Sequence, residues 1–310
     1  MSKNILITGA GGFIGKNLVE HLKDKSEYSL FYPYHKELEL LDAGAVSDYV
    51  KTNKIDIIIH CANIGGSRKT RYDNGKEDIT SKNLGMFLNL AKTLDSDRSM
   101  IHLGSGAEYD FRSYAPKMKE DYFGTHIPED SLGLSKYLCS KYIMSAERIT
   151  NLRFFGVFGR YEDYEYRFIS NAIVKNLLGL PIVINQNVYF DYMYVDDAAR
   201  IIEYFIGHKA KHQFYNATTG RAIDLVTIAN KINKVSKYPS EVVINNPGLN
   251  LEYSGDNTRL LKEMDNFNFT SFDAALKELY NWYKARTSEI DKEKIVRDEY
   301  IKYCRVKNNG

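Results

Sequence analysis

Only three cysteines, Cys61, Cys139 and Cys304, occur in 310 residues, and no two form a C-x-x-C. An odd, widely spaced set supplies neither a disulfide framework nor the thiols of a zinc site, so three reduced thiols are expected. The seven histidines include no pair at ligand spacing, and His60 and His102 fall in strand-like runs where burial accounts for them, so no metal is expected. Charge of one sign is also missing. The 42 Lys and Arg balance 40 Asp and Glu, which excludes the concentrated basic face that a nucleic acid or an acidic membrane requires. No apolar run approaches 18 residues, so no membrane-spanning helix is expected. Residues 1–4 lead straight into a strand pattern without the charged and apolar regions of a signal peptide, which points to a cytoplasmic protein. Repeats and low-complexity linkers are absent. The 24 Tyr and 15 Phe lack basic interleaving and read as core and cleft lining.

What remains is a globular composition, 44% apolar and 26% charged, long enough for one large domain or two unequal ones. Short apolar runs at 4–8 (NILIT), 28–33, 55–60 (IDIIIH) and 100–104 alternate with helical spacing at 17–22 and 78–94. This alternation, followed by a helix near 134–147 and a strand near 151–155, predicts an α/β fold with a parallel sheet covered on both faces. Beyond it the elements shorten and the turns become polar, as in a smaller lobe closing over a ligand. A charged stretch from 284 to Arg305, with sparse apolar residues, reads as a terminal helix packing on the body or on another subunit.

Gly9-Ala10-Gly11-Gly12-Phe13-Ile14-Gly15 lies between the first strand and the first helix. Glycines there allow a tight turn and close approach of a pyrophosphate, whose charge rests on the helix N-terminus. A doubly wound Rossmann sheet binding a dinucleotide is therefore expected over 1–165, with elements of 190–220 returning to it. A substrate lobe over 166–283 and a helical extension over 284–310 complete the division. The second strand ends Tyr34-His35-Lys36, without the acid that reads the ribose hydroxyls of NAD. His35 and Lys36 facing a 2′-phosphate would suit NADP, and the choice between NAD and NADP stays open.

Further motifs fall in register: His60-Cys61-Ala62-Asn63, Asn83, Leu103-Gly104-Ser105-Gly106-Ala107-Glu108-Tyr109, Gly133-Leu134-Ser135-Lys136, Leu152 to Gly159, and Tyr194-Val195-Asp196-Asp197. In order and spacing they resemble the extended short-chain dehydrogenases/reductases, the NAD-dependent epimerase/dehydratase family, over residues 3–283. The segment Lys36-Glu37-Leu38-Glu39-Leu40-Leu41-Asp42 and the pair Gly65-Gly66 are most similar to GDP-fucose synthase-like nucleotide-sugar 4-ketoreductases. The resemblance implies an NAD(P)-dependent oxidoreductase acting on a nucleotide-activated hexose or heptose, a GDP-sugar first among them, and a homodimer or higher homo-oligomer. It puts Gly9, Gly12, Phe13, Ile14, Ala62, Asn63 and Leu103 along the cofactor, with Asp42 near the adenine. Gly156, Arg167 and Lys175 then face the substrate, with Arg167 or Lys175 supplying the charge of an Arg that Phe190 replaces.

Hydride transfer at a sugar carbon needs a proton moved at the attached oxygen, which such enzymes achieve with a Tyr beside a Lys and a Ser hydroxyl. Ser105 takes the Ser position and Lys136 the Lys position, where it also meets the nicotinamide ribose. The Tyr belongs four residues before Lys136, one helical turn away, and that residue is Leu132. The alternative Tyr137-x-x-x-Lys141 leaves only about ten residues before the next strand and rotates the phenol about 140° around the helix. Leucine moves no proton. An engineered change, another donor such as Tyr109, Tyr137 or water, or a non-catalytic dinucleotide-binding regulator remain open. Gly106 and Ala107 occupy the dehydratase acid positions, and the Cys and His of 3,5-epimerising relatives are absent. Oxidation or reduction at C4 is expected, with C4 epimerisation as the alternative.

Overall fold

The computed structural model describes residues 2–65, 78–265, 267–304 and 306–307. The first half alternates strictly: Lys3–Thr8 (β1), Phe13–Leu22 (α1), Tyr28–Phe31 (β2), Ala43–Thr52 (α2), Ile57–His60 (β3), Ile79–Ala91 (α3), Ser99–Ser105 (β4), Ser131–Ile143 (α4) and Ile149–Phe154 (β5). The second half runs Gly156–Phe158 (β6), Phe168–Leu177 (α5), Ile182–Asn187 (β7), Tyr189–Tyr194 (β8), Val195–Gly207 (α6), Phe214–Ala217 (β9), Ala222–Asp224 (β10), Leu225–Val235 (α7) and Val242–Leu249 (β11). It ends in Thr258–Glu263 (α8), Phe272–Lys284 (α9), Lys292–Arg297 (α10) and Glu299–Lys302 (α11).

The strands form a six-stranded sheet in the order β2-β1-β3-β4-β5-β9, parallel throughout. All four residues of β3 are buried, as expected for a strand covered on both faces. On one face Leu18 and Leu22 of α1 pack with Ile201, Ile202 and Phe205 of α6. On the other lie Val46 and Val50 of α2, Phe87 and Leu90 of α3, and Ile143 of α4. Winding proceeds outward from β1 in both directions, so the strand order reverses between β1 and β3, and a crevice opens beyond their carboxyl ends. Asp side chains start the helices on the second face: Asp42 accepts from the Ala45 N–H at 3.0 Å, Asp78 from Ser81 at 2.9 Å and Asp130 from Gly133 at 2.9 Å.

A third core unites α5, α7 and α9 with the two small sheets β10-β8-β6 and β11-β7. α6 and β9, from the stretch expected to return to the main sheet, pack on it together with Leu260 and Met264 around α8. One detail differs from the sequence reading. The expected single terminal helix is two short ones, broken at Asp298, whose backbone is left-handed (φ 49°). Ile290, Ile295 and Tyr300 from this stretch are buried in the third core. Gly66 and Arg305 lie outside the described residues. No helix among the described residues is long and apolar enough to cross a membrane.

Candidate active site

The turn after β1 is shaped by backbone crowding. Gly9 has φ +69°, and a Cβ there would stand 2.6 Å from the Ala62 nitrogen; one at Gly15 would stand 2.3 Å from the Gly9 oxygen. Gly12 occupies the N-cap of α1 with no side chain satisfying the first-turn N–H groups, which face the crevice as donors for an anion. The crevice is a cleft of about 870 Å³ lined by the Gly9–Gly15 turn, Tyr34, His35, Glu39, Ala62, Asn63, Leu103, Ser105, Leu132 and Lys136. Its glycine turn and open helix N-terminus fit a dinucleotide.

Of the residues expected along the cofactor, Gly9, Gly12, Phe13, Ile14, His35, Ala62, Asn63, Leu103 and Lys136 all line this cleft. Lys36 and Asp42 do not. Asp42 is exposed and spends its carboxylate capping α2, and Lys36 lies exposed one residue beyond His35. His35 faces Glu39 at 3.3 Å, a carboxylate the sequence reading did not single out.

Lys136 is buried on α4, and its Nζ donates to the Leu103 carbonyl at 2.7 Å. Burial lowers its pKa, with the nearby Cys139, Glu108 and Cys61 opposing. Ser105 ends β4 and starts a capping box: its Oγ accepts from the Ala107 N–H at 3.1 Å, while its own N–H donates to Glu108 Oε1 at 3.0 Å. Glu108 is fully buried. It accepts from Arg153 Nε at 2.7 Å, from the Ser140 hydroxyl at 2.5 Å and from Asn151 Nδ2 at 3.3 Å. One carboxylate thus ties the end of β4 to α4 and β5 and holds Ser105 relative to the helix bearing Lys136.

A second cavity of about 240 Å³ adjoins the first, lined by Ala107, Phe111, Tyr114, Asp130, Arg167, Phe190, Tyr253 and Tyr300 among others, and Leu132 lines both. Gly156 and Arg167 face a smaller cavity of about 100 Å³ that shares Phe190, Tyr253 and Tyr300 with the second. Lys175 is turned away. It is buried and its Nζ donates to Asp298 Oδ2 at 2.7 Å, so its charge is held by the C-terminal segment rather than offered to a ligand.

Position 132 is leucine on the first turn of α4, where it presents no polar atom to the junction of the cavities. Neither proposed replacement reaches that junction. The Tyr109 hydroxyl donates to Asn216 Oδ1 at 2.6 Å and accepts from Arg153 at 3.0 Å in the buried network. Tyr137 is buried against Phe123, with ring centroids 4.8 Å apart. Of the phenols lining the second cavity, Tyr253, from the segment between β11 and α8, is the one that interacts with both the Ser105 and the Tyr114 hydroxyls. Burial pushes its pKa up to about 12, with the Ser105 and Tyr114 hydroxyls acting in the opposite sense. No local motif marks it, since it reaches Ser105 only through tertiary contact. The three cysteines are free, and no cluster of His, Cys, Asp and Glu among the described residues could hold a metal.

Residues 5–217 match the family model described as the NAD dependent epimerase/dehydratase family. The chain is 30% identical over 177 residues to GDP-L-colitose synthase of Yersinia pseudotuberculosis, covering 56% of this chain and 53% of that protein. It is 26% identical over 295 residues to GDP-6-deoxy-D-talose 4-dehydrogenase of Aggregatibacter actinomycetemcomitans, covering 89% and 96%. Among solved structures, UDP-glucose 4-epimerase of Thermotoga maritima superposes with a TM-score of 0.79 at 20% identity over 91% of this chain and 99% of that one. The GDP-mannoheptose C4 reductase of Campylobacter jejuni with NADP bound gives 0.77 at 17% identity over 91% and 98%. With the parallel sheet, the glycine turn and a family match spanning two-thirds of its length, this chain belongs to the NAD-dependent epimerase/dehydratase family of extended short-chain dehydrogenases/reductases.

Proposed function

We propose that the protein is an NAD(P)-dependent oxidoreductase acting at C4 of a nucleotide-activated sugar, without dehydration or 3,5-epimerisation. The observation that carries this reading is that Ser105 and Lys136 line the same cleft as the glycine turn, and that this cleft shares Leu132 with the second cavity. When bound, a nicotinamide dinucleotide supplies or accepts the hydride. The Gly9–Gly15 turn and the N-terminus of α1 hold its pyrophosphate, and Lys136 faces its nicotinamide ribose from α4. Ser105 Oγ, fixed by the capping box, hydrogen-bonds the substrate oxygen and orients its carbon. Arg167, lining the two further cavities, is the side chain suited to the nucleotide diphosphate now that Lys175 is engaged elsewhere.

The acids present argue against elimination. Glu108 points into the buried Arg153 network and away from the cleft, and Gly106 and Ala107 carry no acid. GDP-sugars head the substrates to test because relatives acting on them are among those similar to this chain. The test is a panel of GDP-, UDP-, CDP- and dTDP-linked hexoses and 4-keto sugars, following nicotinamide absorbance with NAD(H) and NADP(H). Cofactor-dependent turnover of at least one is expected. Dinucleotide binding with no turnover of any, by this chain or by Leu132→Tyr, would favour a non-catalytic regulator, the reading that leucine at 132 permits.

A further inference from the structure

We propose that the Tyr253 phenol donates the proton to the substrate oxygen, performing from the C-terminal half of the chain the task that position 132 cannot. The inference rests on the redox reading above and names the acid it requires. Tyr253 is held on three sides. Its N–H donates to the Tyr189 carbonyl at 2.9 Å and its carbonyl accepts from the Asp191 N–H at 3.0 Å, which pins the backbone to β8. Its ring packs against Tyr114, Phe155 and Phe190, with centroids 4.9, 5.0 and 5.7 Å away. The hydroxyl occupies space that only glycine at 106 leaves free, since a Cβ there would stand 2.7 Å from it. From that place it reaches Ser105, which lines the cofactor cleft, while the phenol itself lines the second cavity beside Leu132.

A reacting carbonyl hydrogen-bonded to Ser105 therefore has one phenol at hand, backed by a second hydroxyl: Tyr114 adjoins Tyr253 and donates onward to the Gly106 carbonyl at 3.1 Å. The charged groups facing the pair are Asp130 from the start of α4 and Arg167 from the start of α5, with Asp110 beside Tyr114. In reduction, the carbonyl carbon gains a hydride from the reduced nicotinamide and the C=O π pair becomes an alkoxide lone pair. That pair takes the Tyr253 proton, so the phenol O–H breaks as the product O–H forms. Cleft water returns a proton to the phenolate left behind. The phenol is in its protonated, donor form at neutral pH.

Tyr253→Phe keeps the ring and removes only the hydroxyl. With a turned-over 4-keto nucleotide sugar, its single-turnover rate is expected to fall by about 10²–10⁴-fold. Dinucleotide affinity and near-UV circular dichroism stay unchanged, and adding Leu132→Tyr restores at least part of the loss. A second readout needs neither cofactor nor substrate: with ring-carbon-labelled tyrosine, the NMR signal lost in Tyr253→Phe is that of Tyr253, and Ser105→Ala is expected to move its ionisation to higher pH. Tyr253→Phe at the wild-type rate, or a Tyr253 signal indifferent to Ser105→Ala, would overturn the inference while leaving the redox reading intact. A wild-type chain that binds dinucleotide and reduces no nucleotide sugar would overturn that reading and this role with it.

Discussion

Glu108 shows how one side chain can matter to a site it never touches. It is fully buried with Arg153 and also holds the Ser105 N–H, so removing its charge leaves an unpaired guanidinium in the core. Glu108→Gln is expected to destabilise the fold by about 3–5 kcal/mol, the usual cost of breaking a buried pair from one side, measurable by denaturant unfolding. A loss below about 1 kcal/mol would contradict the assigned pairing. At the glycine turn, Gly12→Val is expected to abolish dinucleotide binding in a fluorescence titration. Its Cβ would lie 3.2 Å from the Gly9 oxygen and its methyls would project where the pyrophosphate approaches. Undiminished binding would remove the turn from the site. The glycine turn was legible in the sequence because its constraint is local, a strand, a turn and a helix start, whereas the pairing of Glu108 with Arg153 spans 45 residues and was not. The leucine at 132 was legible too, four residues before Lys136. Tyr253 and the capture of Lys175 by Asp298 were not, since each depends on contacts between distant segments.

Two adjacent strands carry a pH liability. His60 of β3 and His102 of β4 are 1% exposed with ring centroids 5.3 Å apart, and burial lowers both pKa values, that of His60 to about 3. Between about pH 6.5 and that value the unfolded chain binds protons that the folded chain refuses. Stability is therefore complete above pH 6.5 and falls as the pH drops, by about 1.4 kcal/mol per pH unit for each imidazole. Neither nitrogen of His102 has a hydrogen-bond partner among the described residues. His102→Leu is thus expected to be neutral or stabilising at pH 7 and to lessen the loss on going to pH 5 by about 2 kcal/mol. Denaturant midpoints at the two pH values check this, and an identical acid loss in the variant would contradict it. Element identity in the first half was readable from periodicity, because β1, β3 and β4 are apolar runs closed by turns. In the second half β6 and β10 are three residues each, too short for a period to register. The terminal segment shows helical composition, but the left-handed backbone at Asp298 divides it.

At the scale of the whole molecule, the C-terminal segment bears on the second cavity. Tyr300 and Cys304 line it, and the Cys304 and Lys307 carbonyls accept hydrogen bonds from Asn185 and Gln186 of β7. Removing residues 299–310 is therefore expected to weaken nucleotide-sugar binding more than dinucleotide binding, a difference that calorimetry of both ligands would register. The family resemblance also leads us to expect a homodimer or larger assembly, and light scattering at micromolar concentration should give at least twice the chain mass. Single-turnover mixing of the 310-residue chain, reduced nicotinamide dinucleotide and 4-keto nucleotide sugars tests whether it transfers hydride to a nucleotide sugar. One oxidised nicotinamide is expected per sugar alcohol produced, with at least one nucleotide sugar in the panel. Saturable dinucleotide binding with no oxidation against any of them would contradict it.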